Sequence, residues 1–439
     1  MKTRKMSLTT QMFIALVFGI LGGSLLQIIG PSTFRDDFII VALNFIGTAF
    51  FDMVRMLMPP LVLISVITGV ASFSDAKLLG RLGSKMVSIY IVTTAIAVIM
   101  GLTLVTLFNP AVGLDTYGLA SQQPNINPPE SFLSVILGII PINPFASLAA
   151  GNVLQIMFFA MFVGTSIVLI GEKADPARNV FESLNEIILK MVNMVMKIAP
   201  IGIFSLLTVT FTDLGWNAIV ALGGYLGLVW IGLIIHVIFV YGGIFKFILQ
   251  KNPNTGKRLS IKVFIKKMSA PIAFSFATSS SAATMPLTIK AADSLGISKK
   301  LTSFSIPVGV ALNMDGTAIK QAIAVVFLAT VYGVPLGIIE YLVILLTATL
   351  ASIGTAGVPG AGMIMLSAVL SSIGMPVEAI AMIFAVDRIV DMPRTTLNVV
   401  GDVVYSLVVA QPEGLLDYNA YDDMTLHQPS KNTTSTTTS

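Results

Sequence analysis

The chain has 439 residues, 55% of them hydrophobic and only 11% charged, against about 25% charged in an ordinary soluble protein. That balance, with a mean hydropathy of +0.89, excludes a soluble globular fold and makes lipid the solvent. The net charge of +4 is spread over short loops, which argues against a nucleic-acid binder, and the absence of cysteine excludes disulfides, thiolate metal sites and cysteine nucleophiles.

Lys2, Arg4 and Lys5 precede an apolar run that ends at Ile29. A signal peptide has an apolar core of about 7–15 residues and a small-residue cleavage site. This run is longer and leads straight into more apolar sequence, so it reads as a first transmembrane helix. A second span covers 39–74 and holds Met58-Pro59-Pro60, where a kink or break is expected. The third covers 79–108. Residues 130–171 are too long for one helix and contain Asn143-Pro144 and Gly151-Asn152, the marks of an interrupted region. The fifth and sixth spans cover 179–211 and 216–249. Residues 260–291 are less apolar, with small polar residues at their centre. Residues 298–331 are interrupted by Asn313-Met314-Asp315-Gly316-Thr317, 336–372 hold a second small-residue centre, and the last span covers 377–410. The polar tail from Gln411 ends in a Ser/Thr run and reads as disordered.

Lys and Arg collect before the first span, at Lys77, Arg81 and Lys85, at Lys173 and Arg178, and from Lys246 to Lys267. The loop from Asn109 to Ser131 has none. The positive-inside rule then puts the N-terminus and the end of the sixth span in the cytoplasm. The remaining spans fit only if 260–291 and 336–372 each enter and leave on one side, as re-entrant hairpins with tips at Thr278 to Ala283 and Gly354 to Gly362. Non-helical backbone at membrane depth is tolerated where it is buried in protein or lines a cavity. Two opposed hairpins, each followed by a helix with a polar centre, form the inverted repeat of many secondary transporters.

The chemistry is densest in DRIVDMPRTTLNVVGD, from Asp387 to Asp402. Asp387, Asp391, Arg394, Asn398 and Asp402 fall within roughly an 80° arc of one helix. In lipid such a stripe must face a polar cavity or a partner. Arg394 needs an anion, either Asp391 or Asp387 within the chain or a substrate carboxylate held bidentately. Asp391, about one turn away, suits a substrate ammonium, and the two together suit an acidic amino acid. Asn313 to Thr317 place a carboxylate, an amide and a hydroxyl beside a glycine that lets carbonyls open, which suits a hard cation such as Na⁺. The Ser-rich and Gly-rich hairpin centres allow close backbone approach to carboxylates or, taken alone, simple helix packing. His236 reads as a packed histidine. No Gly-x-Ser-x-Gly elbow supports Ser281 as a nucleophile, and no Gly-x-x-x-x-Gly-Lys-Ser/Thr loop supports ATP-driven pumping.

SSSAATMPLT, NMDGTA, ASIGTAGVPGAG and DRIVDMPRTTLNVVGD together resemble the dicarboxylate/amino acid:cation symporter family, which includes the glutamate and aspartate transporters. NPFASLAAGNVLQIMFFAMFVG and KIAPIGIF are also similar to family segments, so the resemblance covers residues 8–410. It implies an all-α polytopic protein with eight transmembrane helices plus two re-entrant helical hairpins, assembled as a homotrimer. Residues 1–78 and 111–215 would form a scaffold. Residues 79–110 and 216–410 would form a transport domain that moves as an elevator, and 411–439 a cytoplasmic tail. Substrate would be held by Arg394, Asp391, Asn398, Thr395, Thr317 and Ser281 and by hairpin backbone at Ser279, Val358, Gly360 and Gly362. Three sodium sites are implied. One has Gly309, Asn313, Asn398 and Asp402. A second has carbonyls of Ala311, Ser352, Ile353 and Thr355. The third has Tyr90, Thr93, Thr94, Asn313 and Asp315.

Departures from the family pattern refine this expectation. Gln321 stands where animal members carry a glutamate tied to proton and potassium coupling, and it cannot titrate. Neither Ser279 nor Met392 is the arginine found at one or other position in relatives; Arg388, one turn before Met392, is the candidate to reach the same space. Asp391 argues for aspartate or glutamate over C4-dicarboxylates lacking an amino group. The expectation is therefore a sodium-coupled importer of L-aspartate or L-glutamate in a prokaryotic plasma membrane, with both termini cytoplasmic and no cofactor beyond Na⁺ as co-transported ion. Proton coupling through Asp315 and Asp402 is the alternative within the class, and a passive channel the alternative outside it.

Overall fold

The computed structural model describes residues 8–71, 82–111, 137–214, 216–353, 355, 357, 360–384 and 386–423. Among them the α-helices of the first half are α1 (Leu8–Ile29), α2 (Val41–Ala71), α3 (Ser84–Leu107), α4 (Pro144–Ala150), α5 (Val153–Ile170), α6 (Asp175–Leu214) and α7 (Trp216–His236). Two π-helical turns, Val237–Tyr241 and Ile244–Ile248, carry α7 onward. The second half contains α8 (Ile261–Lys267), α9 (Ser269–Thr278), α10 (Ser281–Ser294), α11 (Lys299–Leu312), α12 (Asp315–Val331), α13 (Ile338–Ile353), α14 (Ala361–Ser372), α15 (Ile380–Phe384), α16 (Asp387–Ala410) and α17 (Tyr418–Asp422). The only β feature among the described residues is an isolated bridge between Ile297 and Leu416. The protein is all-α and membrane-spanning.

Local chemistry sets the breaks. Asn143 accepts hydrogen bonds from the Phe145 and Ala146 N–H groups, and Pro144 opens α4. Gly151, at φ 69°, ends that helix, and Asn152 caps α5 by accepting from the Gln155 N–H. The interruption expected there is present. The break expected at Met58-Pro59-Pro60 is not, because α2 runs through both prolines. Each interior proline costs a helix about 3 kcal/mol or more, and packing along α5 and α6 offsets that cost.

Packing separates two groups of helices. α1 and α2 lie along α6, and α5 lies along α2. In the second group α3 packs on α12, and α16 packs on α9, α11 and α12. Among the described residues six helical stretches are long and apolar enough to cross a membrane. In one of them, Lys299–Val331, 94% of the most apolar window is buried, against 28% for Thr10–Ile29. The first is encased in protein, whereas the second is mostly exposed on this chain. α16 is not one of the six, since Asp387, Arg388, Asp391, Arg394 and Asp402 lower its hydropathy.

The tail is folded over residues 411–423, contrary to the expectation of disorder from Gln411. Lys267 is buried, and its ammonium donates to the carbonyls of Ser294, Ala420 and Tyr421 at 2.6, 2.6 and 2.9 Å. The Tyr421 hydroxyl donates to the Ser260 carbonyl at 3.0 Å. Burial, with Asp422 nearby, pushes that phenol up, so it stays a neutral donor. The Asp417 N–H donates to the Gly296 carbonyl at 2.8 Å, and Lys85 pairs with Glu413 at 2.5 Å. The strap thus ties α8, α10 and α11 together. Composition missed it because its partners are backbone carbonyls brought in from distant sequence. Lys267→Met is expected to cost about 2–4 kcal/mol, since three carbonyls lose a charged donor. Thermal unfolding in detergent checks this; an unchanged midpoint would mean the strap contributes no stability.

Candidate functional site

Two helical hairpins meet over α16. In the first, α9 and α10 join at Ser279, a non-glycine residue at φ 52°, and at Ser280, whose hydroxyl caps α10 by accepting from the Ala283 N–H. In the second, α13 and α14 join through a turn in which Gly360 takes φ 81°. The tips touch: the Ser280 hydroxyl donates to the Gly357 carbonyl at 2.9 Å and the Ala282 N–H donates to it at 3.1 Å. Ser279 and Ser281 are buried beneath this contact. Val358 lies outside the described residues. Arg388 reaches the same tip, its Nη2 donating to the Ala277 and Thr278 carbonyls at 3.4 Å each.

The stripe on α16 is buried at all five positions. It faces the break between α11 and α12, where Asn313 is extended and Met314 is non-helical. Gly316 allows the close approach. A Cβ there would stand 2.7 Å from the Arg394 carbonyl oxygen, and its N–H donates to Asn398 Oδ1 at 2.8 Å. Arg394 Nε lies 2.8 Å from Asp391 Oδ1. Arg394 Nη1 donates to the Thr317 hydroxyl, and Nη2 donates to Thr395 Oγ1 at 3.3 Å. Asp391 Oδ2 accepts from the Gly360 N–H at 3.4 Å, while a Cβ on Gly362 would sit 3.4 Å from Arg394 Nη1. Asn398 Nδ2 donates to Thr317 Oγ1 at 3.4 Å. Of the expected substrate residues, this brings Thr317, Gly360, Gly362, Asp391, Arg394, Thr395 and Asn398 into one place. In this conformation Arg394 and Asp391 form an ion pair, the internal pairing that the sequence left open, but neither Nε nor Oδ1 makes a hydrogen bond. The N-termini of α12 and α14 converge on the same spot and favour negative charge.

A second polar cluster adjoins the first through Asn398. Asp315 Oδ1 accepts from Thr94 Oγ1 at 2.9 Å and from Thr93 Oγ1 at 3.4 Å; Oδ2 accepts from the Tyr405 hydroxyl at 2.5 Å. Asn313 Nδ2 donates to Asp402 Oδ1 at 2.8 Å and to the Asn398 carbonyl at 3.0 Å. Gly309 brings α11 against α16, since a Cβ there would lie 2.5 Å from Asp402 Oδ1. Asp402 Oδ2, Asn313 Oδ1 and Tyr90 Oη are buried without a hydrogen-bond partner. Orphaned oxygens of this kind fit a hard cation, which takes oxygen ligands. Ser352, Ile353 and Thr355 stand at the end of α13, the Thr355 N–H donating to the Ser352 carbonyl at 3.2 Å. α11 and α13 touch, but no hydrogen bond among the described residues joins this turn to Ala311. Also among the described residues, no group of three or more His, Asp or Glu side chains is placed to hold a metal. Any ion here is held largely by amides, hydroxyls and carbonyls.

Two buried residues, Tyr405 and Lys320, escaped the sequence reading. Tyr405 anchors Asp315 and stacks edge-on with Tyr90, ring centroids 5.8 Å apart. His236 is packed as expected, fully buried and edge-on to Tyr241, with Nε2 3.4 Å from Asp315 Oδ2 and neither ring nitrogen hydrogen-bonded. Lys320 is fully buried and pairs with Asp387, with Asp391 Oδ1 3.8 Å away. Lys320 carried a usable signal, being the lone charge between Thr317 and Tyr332 in a membrane span. Gln321 is buried, and its amide atoms have no hydrogen-bond partner.

Buried charge held between broken helices, inside an all-helical membrane protein, defines a secondary transporter. Residues 8–411 match the sodium:dicarboxylate symporter family, and the chain belongs to it. It is 34% identical over 427 residues to the proton/glutamate-aspartate symporter of Escherichia coli (strain K12), which covers 95% of each chain. It is 33% identical over 428 residues to the proton/sodium-glutamate symport protein of Bacillus subtilis (strain 168), again 95% of each chain. The protein of the same name from Geobacillus stearothermophilus is 32% identical over 420 residues, 94% of this chain and 96% of its own.

Proposed function

We propose that this protein is a symporter for L-aspartate or L-glutamate, coupled to sodium and operating as an elevator from a prokaryotic plasma membrane, with cytoplasmic termini. The carrying observation is the buried Asp391–Arg394 pair beneath two touching hairpin tips. An acidic amino acid presents the complementary groups: its ammonium replaces Arg394 at Asp391, and its side-chain carboxylate replaces Asp391 at Arg394. Thr317, Thr395, Asn398 and Ser281 complete the hydrogen bonding, and hairpin backbone at Ser279, Gly360 and Gly362 encloses the ligand. Sodium is cargo, taken by the oxygens around Asn313, Asp315 and Asp402 and by the α13 turn. The names of the relatives support the substrate class.

The two helix groups support a division into a scaffold (1–78 and 111–215) and a moving body (79–110 and 216–410). A homotrimer is the assembly that goes with this reading. Proton coupling is the second reading, favoured by the word proton in the names of all three relatives. A channel is disfavoured because the polar groups concentrate at one depth under closed tips.

Uptake of labelled L-aspartate and L-glutamate into proteoliposomes, under an imposed Na⁺ or pH gradient, tests the proposal. Concentrative uptake that needs inward Na⁺ is expected. Uptake driven by protons alone would reassign Asp315 and Asp402 to proton carriage, and no accumulation under either gradient would remove the symporter reading. Arg388→Ala is expected to raise KM about three- to tenfold, since the first tip loses its cationic brace. Unchanged affinity and translocation would exclude Arg388 from the site.

A further inference from the structure

We infer that Lys320 sets the charge selectivity of the site by neutralising Asp387, so that Asp391 alone remains to receive the substrate ammonium. The inference rests on the acidic-amino-acid reading above and adds a residue to it. Lys320 projects from α12 with no exposed side-chain surface and pairs with Asp387; Asp391 Oδ1 is 3.8 Å away, and Arg394 Nε stands 2.8 Å from that same oxygen. The four groups form an alternating chain of acidic and basic side chains, Asp387–Lys320–Asp391–Arg394.

Consider the chain without Lys320. Asp387 and Asp391 lie one turn apart on the same buried face of α16. Two carboxylates that close in a low-dielectric site repel each other and any incoming anion. Arg394 would then serve both carboxylates and be less free for a substrate carboxylate. With Lys320 present, Asp387 has a permanent counter-ion. The substrate exchanges only the Asp391–Arg394 contact, one ammonium for one guanidinium. Lys320 is thus a positioning residue that acts through Asp387 and Asp391 and does not itself touch substrate.

The test is uptake by proteoliposomes of wild type, Lys320→Met, Lys320→Arg, and Lys320→Met combined with Asp387→Asn. L-aspartate, L-glutamate and the neutral L-serine are compared under whichever cation gradient drives the wild type. Lys320→Met is expected to raise KM for the acidic substrates roughly tenfold or more and to lower the preference for acidic over neutral substrates. Lys320→Arg should keep the acidic preference. The double variant, which has lost both charges, should regain most of it; a lysine that merely packs would show no such rescue. Unchanged selectivity in Lys320→Met, or a folded double variant that still lacks the acidic preference, overturns the inference while the function stands. If Lys320→Met does not fold, Lys320→Gln takes its place, and rescue by Asp387→Asn is read against that variant by the same criterion. A wild type that accumulates neither acidic amino acid overturns the proposed function and this inference with it.

Discussion

Arg394→Cys is expected to abolish measurable uptake of L-aspartate and L-glutamate, with KM raised at least about a hundredfold. Arg394 is buried on α16, and its guanidinium is spread over Asp391, Thr317 and Thr395. Cysteine removes a planar fork of donors that no neighbour can replace. It also leaves Asp391 in the protein interior with Lys320 as its nearest remaining cation, at 3.8 Å. A neutral amino acid still offers an ammonium to Asp391, so the variant should gain relative preference for neutral substrates. Competition of L-serine against labelled L-aspartate reads this directly. Undiminished aspartate binding would remove Arg394 from the role of carboxylate ligand, and Lys320 would become the first candidate to replace it.

Asp402→Asn carries the second large effect. Its Oδ1 accepts from Asn313, and its Oδ2 is buried without a partner. The substitution keeps size and shape but removes the charge that would hold a dehydrated cation. The expected result is that the cation concentration for half-maximal uptake rises about tenfold or more, with the maximal rate restored at high cation. Gly309 keeps α11 pressed against this carboxylate, so there is little room for a water-filled substitute. An unchanged response to Na⁺ and to pH would exclude Asp402 from either kind of coupling.

Much of the architecture was legible because lipid simplifies the reading. Apolar runs mark helices, and breaks announce themselves as Asn143-Pro144 and Gly151-Asn152, where side-chain caps, a proline and a positive-φ glycine act locally. The stripe from Asp387 to Asp402 was legible for a similar reason: helical geometry aligns it, and charge in a membrane must find a purpose. Met58-Pro59-Pro60 does not break α2, because a proline signal is local whereas α2 is held by helices from elsewhere in the chain. The tail misled because its polar composition says nothing of the Lys267 ammonium that collects its carbonyls.

What the sequence determined by itself was the solvent, the order of the helices, their interruptions and the chemical character of α16. These follow from periodicity, composition and near-neighbour chemistry, which act over a few turns. Only the tertiary structure decided who pairs with whom. Thr94 and Asp315 are 221 residues apart, Lys320 and Asp387 are 67 apart, and the two hairpin tips meet through Ser280 and Gly357. A buried polar group must be satisfied, but sequence states only that need. Which partner meets it depends on how close glycines such as Gly309 and Gly316 let the helices come, and that is a property of the packed chain.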